Sequence, residues 1–587
     1  MASIIEQFSS ALGDAFEAEG LPRDLGGVSE SGRPDLAPYQ CNGAMAAAKL
    51  ARTNPRAVAQ AVAGRLADLL PDVNVEIAGP GFLNLTPPPG LYADRAEALG
   101  ADERTGASKT PRPLRVLIDF GGPNVAKPMH VGHLRSSVIG DSLQRLFRFR
   151  GHEVVSDIHL GDWGLQMGHL VTELEDEQPD LIYFDAAYTG PYPEEPPVAI
   201  EDLARLYPQA SARAKADPAR NERSRRATAE LQAGRPGYRA LLRHFINVSA
   251  AALKADFDAL GVHFDLWKGE SDVNGLIPEL VEDFRARGIA EESEGALVVR
   301  VAREDDKKDL APLILVSSQG SALYATTDLA TILDRRRSFD PQLMLYVVDL
   351  GQSDHFEQVF RAAVKAGLAG EDGLEHVKFG TVNGPDGKRL RTRDGGTFRL
   401  ADLIGQARER ARARLNEAGL GSELAEEEFE DVARKVANAA IKFSDLQNVR
   451  TTNYIFDLDR FVSFEGKTGP YLLYQAVRIK SLLRKAAAEG LAPGAARITH
   501  EAEAALVRRL DGFDAALARA EAGRAPHIIC EHAYSLAQAF SAFYTQCPIL
   551  PEKDGAVRAS RLKLAGTALR QMELALGLAG LETPERM

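Results

Sequence analysis

Two histidines three residues apart, preceded by a lysine, carry the clearest chemical signal in this chain. They lie in the run Ile118-Asp-Phe-Gly-Gly-Pro-Asn-Val-Ala-Lys-Pro-Met-His-Val-Gly-His-Leu-Arg-Ser-Ser137. The run begins apolar, turns at Gly-Gly-Pro-Asn, and continues with a helical pattern. Where a strand ends and a helix begins, free backbone N–H groups and the positive end of the helix dipole face one space. His130 and His133, three apart, can point to one side of that helix start. Gly132 between them leaves room for a ligand against the backbone, and Lys127 adds positive charge just before. Such a set suits nucleotidyl transfer. Charge builds on phosphate oxygens in the transition state, and losing one preplaced donor typically costs ~3–4 kcal/mol of barrier. An isolated His-x-x-His is more often a helix cap plus a packing residue. The strand before it, the Pro-Asn turn and Lys127 tip the balance towards phosphate.

The elements that must hold this site follow an α/β order. Leu114–Phe120 reads as an apolar strand, Val131–Phe149 as a helix and His152–Ile158 as the next strand. Strand, turn, helix, strand opens a doubly wound, Rossmann-like domain with a parallel sheet. Further strand candidates are Ala296–Val301, Leu313–Val316, Leu343–Val348 and Val377–Val382. Residues 182–250 interrupt the pattern, first Pro-rich and then charged and helical, as an insertion would. Residues 1–110 read as a small α+β unit. It has an amphipathic stretch at Ile4–Glu19, an Ala-rich helical stretch at Ala44–Leu70, and strand candidates at Val73–Ile77 and Phe82–Leu85. Arg104–Pro113 reads as a linker into a catalytic domain over 111–400. Residues 401–587 form an all-α unit, with apolar residues at helical spacing in Val432–Phe443, Tyr471–Leu483, Ala502–Leu517 and Ala533–Tyr544.

The bulk composition sets limits. The 587 residues are 45% hydrophobic and 26% charged, an ordinary globular profile. No apolar run approaches the ~18 residues of a membrane span, and the first twenty residues lack a signal peptide's basic start and apolar stretch. Cytoplasmic location is the expectation. Cys41, Cys530 and Cys547 have no metal-binding spacing and cannot all pair, so neither a disulfide framework nor a protein-held metal is expected. The net charge of −13 argues mildly against nucleic acid, but local basic patches can hold RNA on an acidic body.

His130-Val-Gly-His133 resembles the His-Ile-Gly-His signature of class I aminoacyl-tRNA synthetases. A bare His-x-Gly-His also occurs in small nucleotidyltransferases. The longer string Pro123–Ser137 is similar to that of the arginyl-tRNA synthetase family in particular. The resemblance implies an enzyme that joins L-arginine to tRNA(Arg) through an arginyl-adenylate, with ATP and Mg²⁺, as a monomer. The second class I signature, a lysine-rich loop over the ATP phosphates, has its counterpart in Gly384-Pro-Asp-Gly-Lys-Arg-Leu-Arg-Thr-Arg393. Here only Lys388 and Arg391 hold basic positions, and in the family Lys127 is thought to compensate. A hairpin turn at Asp386-Gly387 with solvated basic neighbours is the competing reading. The resemblance makes His130, His133, Lys127, Lys388 and Arg391 catalytic, with Gly132, His130, His133 and Lys388 on ATP.

A guanidinium is flat and always charged, and carboxylates that take two parallel hydrogen bonds are its best partners. The resemblance places Glu270, in Trp267-Lys-Gly-Glu-Ser271, and Asp328, in Tyr324-Ala-Thr-Thr-Asp-Leu-Ala330, on that group. Tyr324, four residues before Asp328, shares its helical face. Gln352, Asp119 and Asn124 are implied for the α-amino and carboxylate end. At Gly121-Gly122 family members often carry hydroxyl side chains, so only backbone contacts are available here. Gly161-Asp162-Trp163-Gly164 reads either as pocket floor or as a tight turn. A site that leaves buried charges unpaired with the wrong amino acid needs no editing domain. For tRNA, Tyr471, Tyr474 and Arg478 fall on one helical face where rings could stack on bases and the arginine could meet phosphate. That region is similar to the family's anticodon-binding domain. Gly79-Pro-Gly-Phe-Leu-Asn84 is similar to its tRNA-elbow domain, with Phe82 stacking on a base and Asn84 bonding to it.

Overall fold

The computed structural model describes residues 2–33, 35–318, 320–390 and 398–587. The N-terminal unit starts with α1 (Ile4–Ala18), closed by a capping box in which Ser3 and Glu6 exchange hydrogen bonds. Strands β1 (Val28–Glu30), β2 (Tyr39–Cys41), β3 (Asn74–Ala78) and β4 (Phe82–Thr86) form an antiparallel sheet of order β1-β2-β4-β3. The Ala-rich stretch is two helices, α2 (Gly43–Ala51) and α3 (Pro55–Leu69). Asn54 caps the Arg56 N–H at 2.8 Å and Pro55 takes the first helical position, so a new helix starts there. Helix α4 (Pro89–Ala101) completes the unit.

The central domain is built on β5 (Arg115–Asp119), α5 (Val131–Arg150) and β6 (Glu153–Asp157). Helix α6 (Leu165–Glu177) follows. The insertion then forms α7 (Ile200–Ala216), α8 (Pro218–Gln232) and α9 (Pro236–Leu260). After the short α10 (Glu270–Val273) come α11 (Ile277–Ala286), β7 (Glu291–Ser293), β8 (Ala296–Val299) and β9 (Leu313–Val316). Next are α12 (Tyr324–Phe339), β10 (Leu343–Tyr346), α13 (Ser353–Lys365) and β11 (Leu374–His376). The sheet order β11-β10-β5-β6 is parallel throughout, with Tyr346 opposite Asp119 and Asp119 opposite Asp157 at the carboxyl ends. Both faces are covered, as a parallel sheet requires. Val116 and Ile118 enter one apolar core while Leu117 enters another, made with β8, β9 and α11 to α13.

Two strand expectations are corrected. Ala296–Val301 and Leu313–Val316 do not join the parallel sheet. As β8 and β9 they pair antiparallel with each other and with β7. Val377–Val382 is not a strand. The strand lies earlier, at β11; within the stretch Phe379 makes a single parallel bridge to Asp349, and Val382–Asn383 (β12) pairs in parallel with Tyr454–Ile455 (β13).

The remaining chain is helical: α14 (Leu400–Glu417), α15 (Glu426–Leu446), α16 (Leu458–Phe461), α17 (Gly469–Ala488), α18 (Glu501–Asp511), α19 (Phe513–Gly523), α20 (Pro526–Gln546) and α21 (Gly555–Leu578). Buried ion pairs tie it to the other units. Arg135 of α5 meets Asp445 of α15 at 3.1 Å, and Arg95 of α4 meets Asp511 of α18 at 2.5 Å. Among the described residues no helix is long and apolar enough to cross a membrane.

Candidate active site

Helix α5 begins at the histidine pair. His130 is its N-cap, and its Nδ1 accepts the Gly132 N–H at 3.0 Å, while the His130 N–H donates to Nδ1 of His133 at 3.2 Å. The rings stack with centroids 3.9 Å apart. Burial, then Lys127 and Arg389, lowers the His130 pKa; burial, then His130 and Lys127, pushes His133 down to about 3. Both imidazoles are therefore neutral near pH 7. A ring nitrogen that accepts from backbone carries no proton, so each proton sits on Nε2. Neither Nε2 donates to a protein group among the described residues, and both histidines line one cavity of about 820 Å³. The pair is thus two neutral N–H donors held in place by the helix start.

Gly132 has a reason that composition does not show. A Cβ there would lie 2.6 Å from Cε1 of His130, so the glycine makes room first for the imidazole. At Gly121, φ is +91° and a Cβ would meet the Phe264 and Phe257 rings at 3.2 and 3.3 Å. A side chain there is strained by the backbone conformation and crowded by the two rings. The turn is fastened by Ser136, whose hydroxyl accepts the Gly121 N–H at 2.8 Å and donates to the Val347 carbonyl at 2.6 Å. One hydroxyl from α5 thereby joins the ends of β5 and β10.

The cavity is also lined by Asp119, Gly132, Gln352 and Arg389. Among its described residues, the basic loop approaches the cavity through one basic residue. Gly384–Lys388 is a tight turn, with Gly387 at φ +74° and the Gly384 N–H on the Lys388 carbonyl at 2.7 Å. Lys388 is exposed and does not line the cavity, whereas Arg389 does, beside Asp349 at 3.5 Å. Arg391 lies outside the described residues. Lys127 stands off the cavity lining, with its ammonium 4.4 Å from the Tyr207 ring of α7. Its turn is braced by the insertion too: Ala126, at φ +65°, donates its N–H to Ser249 of α9 at 2.9 Å. Asn124 accepts from Gln166 at 3.3 Å and is likewise outside the cavity lining.

A second, acidic group forms next to it at the start of α12. Asp328 accepts from Nε2 of His355 at 2.6 Å. Glu270 stands near Asp162 and Asp328; burial, then these two charges, pushes its carboxyl up to about 7 against the pull of the Trp163 backbone N–H. Asp162 takes the Ser271 N–H and hydroxyl at 2.8 and 2.5 Å, which clamps the Gly161–Gly164 turn to the Glu270 turn. Tyr324 is 64% exposed, and its hydroxyl lies 3.0 Å from where a Cβ on Gly164 would be. The stretch Gly161–Gly164 thus borders the acidic group through Asp162. A buried carboxyl raised by burial and neighbouring negative charge, as Glu270 is, suits a cationic partner.

Three participants escaped sequence reasoning. Arg335 is fully buried between Asp119 and Asp157, at 2.6 and 2.8 Å. His355 follows Gln352 by three residues but showed no partner in sequence. His159 has φ +46° and two enclosed ring nitrogens without hydrogen-bond partners among the described residues, close to Asp119 and Asp162.

Away from this centre, Tyr471, Tyr474 and Arg478 share a half-buried face of α17. Tyr471 packs 5.9 Å from Tyr534, Tyr474 6.4 Å from Phe464, and Arg478 lies 4.2 Å over Tyr544. In the N-terminal sheet Phe82 is half-buried, and Asn84 is 5% exposed with its carbonyl oxygen taken by Gln40 at 2.9 Å.

The comparison with known proteins agrees with this geometry along the whole chain. The family model described as tRNA synthetases class I (R), catalytic domain, matches residues 96–458. An arginine--tRNA ligase of Maricaulis maris (strain MCS10) is 69% identical over 588 residues, covering all of both chains. The chain belongs to the arginyl-tRNA synthetase family. The family's N-terminal domain model matches residues 2–86 and the DALR anticodon binding domain residues 472–587. A second relative, from Hyphomonas neptunium (strain ATCC 15444), is 61% identical over both full lengths. Two solved arginyl-tRNA synthetases share the fold over both full chains. That from Plasmodium falciparum has a TM-score of 0.83 at 23% identity, and that from Thermus thermophilus 0.79 at 24%.

Proposed function

We infer that this arginyl-tRNA synthetase family member joins L-arginine to tRNA(Arg) at the expense of ATP, for translation. ATP occupies the 820 Å³ cavity, within the size range of small-molecule sites. Arginine lies beside it, guanidinium towards Glu270, Asp328 and Tyr324, and α-amino group towards Asp119, with Gln352 and Asn124 nearby. The arginine carboxylate attacks the α-phosphorus; the α–β bridging bond breaks and pyrophosphate leaves. The Nε2–H groups of His130 and His133 donate to the phosphate oxygens as charge grows there. Lys127, once off Tyr207, and the basic loop with Arg389, Lys388 and Arg391 add positive charge. A terminal ribose hydroxyl of the tRNA then attacks the adenylate carbonyl carbon and AMP leaves. No side chain forms a covalent bond; positioning and charge do the work. Mg²⁺ enters with the nucleotide as part of the substrate. The face carrying Tyr471, Tyr474 and Arg478 takes the anticodon loop, and Phe82 with the amide nitrogen of Asn84 takes the tRNA elbow. The enzyme acts as a cytoplasmic monomer.

The observation that carries this reading is the pairing of two neutral histidine donors at the cavity with a separate cluster of carboxylates, Glu270, Asp162 and Asp328. Charging of total tRNA with each of the twenty amino acids tests it. Arginine alone should be esterified, and only to arginine-accepting tRNA; charging with lysine or another amino acid would overturn the pocket assignment.

A further inference from the structure

Asp119, Asp157 and Tyr346 stand side by side at the carboxyl ends of β5, β6 and β10. One nitrogen, Nη2 of Arg335 on α12, bridges the two carboxylates at 2.6 and 2.8 Å, and its guanidinium lies 5.4 Å from the Tyr346 ring centre. The two carboxylates differ in what else they face. The Asp157 side chain is 1% exposed, whereas that of Asp119 is 11% exposed and lines the cavity. Arg335 holds only Oδ2 of Asp119; among the described residues Oδ1 accepts from no protein group. Burial pushes the Asp119 carboxyl up and Arg335 pulls it back down; with both carboxylates ionised the triad keeps one net negative charge, presented at that open oxygen. An ammonium group arriving from the cavity would cancel it.

As a device for stability the triad is poor. Nε and Nη1 of Arg335 are enclosed and have no hydrogen-bond partner among the described residues. Buried donors are nearly always satisfied, and each exception calls for a reason. A buried ion pair also gains little over apolar packing. The cost makes sense if the guanidinium is there to keep Asp119 ionised and turned.

We propose that Arg335 is a positioning residue for the amino-acid substrate, fixing Asp119 as an ionised acceptor with one oxygen free for the substrate's α-ammonium. This rests on Asp119 being that acceptor, as inferred above. Arg335 itself touches no substrate.

The test is a double-mutant cycle in tRNA charging with saturating tRNA, reading the arginine and ATP KM separately for the full-length enzyme. Arg335→Met should raise the arginine KM about 15- to 150-fold, the equivalent of one lost hydrogen bond between charged groups, and leave the ATP KM within about twofold. Asp119→Asn should do the same. Adding Arg335→Met to Asp119→Asn should change the arginine KM less than about threefold further, because the two act as one unit. Arg335→Lys, whose single ammonium can bridge both carboxylates, should recover most of the arginine affinity. If Asp119→Asn leaves the arginine KM unchanged, the assignment of Asp119 is wrong and the proposal falls with it. If Asp119→Asn acts as stated but Arg335→Met shifts both KM values alike, or the two effects multiply, the assignment of Asp119 stands and the role of Arg335 does not. Should Arg335→Met fail to fold, Arg335→Gln, which keeps an amide donor but no charge, decides: a rise confined to the arginine KM supports the proposal, and no rise or equal effects on both substrates overturn it.

Discussion

Arginine binding should depend on pH through Glu270. Its carboxyl is pushed up to about 7, first by burial and then by the charges of Asp162 and Asp328. A guanidinium binds the carboxylate and not the acid, so the free enzyme must lose the proton before or as arginine enters. The group's pKa is raised in the empty site, so binding is penalised below it and the penalty fades as pH rises through it. For a pKa near 7, roughly one site in eleven is ionised at about pH 6 and roughly ten in eleven at about pH 8. The arginine dissociation constant should therefore fall about tenfold across that interval. His355 adds in the same direction. Its pKa is raised chiefly by the hydrogen bond to Asp328, and an arriving guanidinium favours loss of that proton too. Calorimetry in two buffers of different ionisation heat would read both the affinity and the proton released. In Glu270→Gln the slope should shrink to the share of His355, with weaker binding at every pH. A wild-type affinity that is flat between about pH 6 and pH 8, or a slope untouched by Glu270→Gln, would refute the reasoning.

Other perturbations probe the remaining parts. Gly132→Ala places a methyl 2.6 Å from the His130 ring; ATP–pyrophosphate exchange should drop by about 3 kcal/mol of barrier or more, with the melting temperature nearly unchanged. Ser136→Ala strands the Gly121 N–H, and urea unfolding should show a loss of about 1–3 kcal/mol. His133→Ala should lower charging by orders of magnitude while tRNA affinity, read by filter binding, barely moves. Arg478→Ala should weaken tRNA binding, with a shallower salt dependence, and leave the arginine KM unaltered.

Much of this site was legible in sequence because its signals are local. The helix α5 starts within one residue of its His motif and ends at Gly151, whose φ of +94° suits a helix C-terminus. The turn residues before it, and Tyr324 and Asp328 on one helical face, are likewise short-range facts. What was hidden depends on long-range contact. The apolar runs of β8 and β9 look the same whether they pair in a parallel or an antiparallel sheet. Arg335 meets carboxylates 216 and 178 residues away, and nothing near it in the chain announces them. Lys127 on Tyr207, and Ala126 on Ser249, depend on an insertion whose sequence shows only charge and helicity. The basic loop illustrates a finer limit: Lys388 and Arg389 are adjacent and alike in charge, and only the hairpin at Gly387 decides which of them reaches the cavity.

The central claim is that the histidine pair and the carboxylate cluster together make arginyl-adenylate. Amino-acid-dependent ATP–pyrophosphate exchange, run with all twenty amino acids with and without total tRNA, tests it most directly. Exchange with arginine alone is the result the geometry requires, and its dependence on tRNA would show whether RNA completes the site. Exchange with a different amino acid, or none under either condition, would contradict the account.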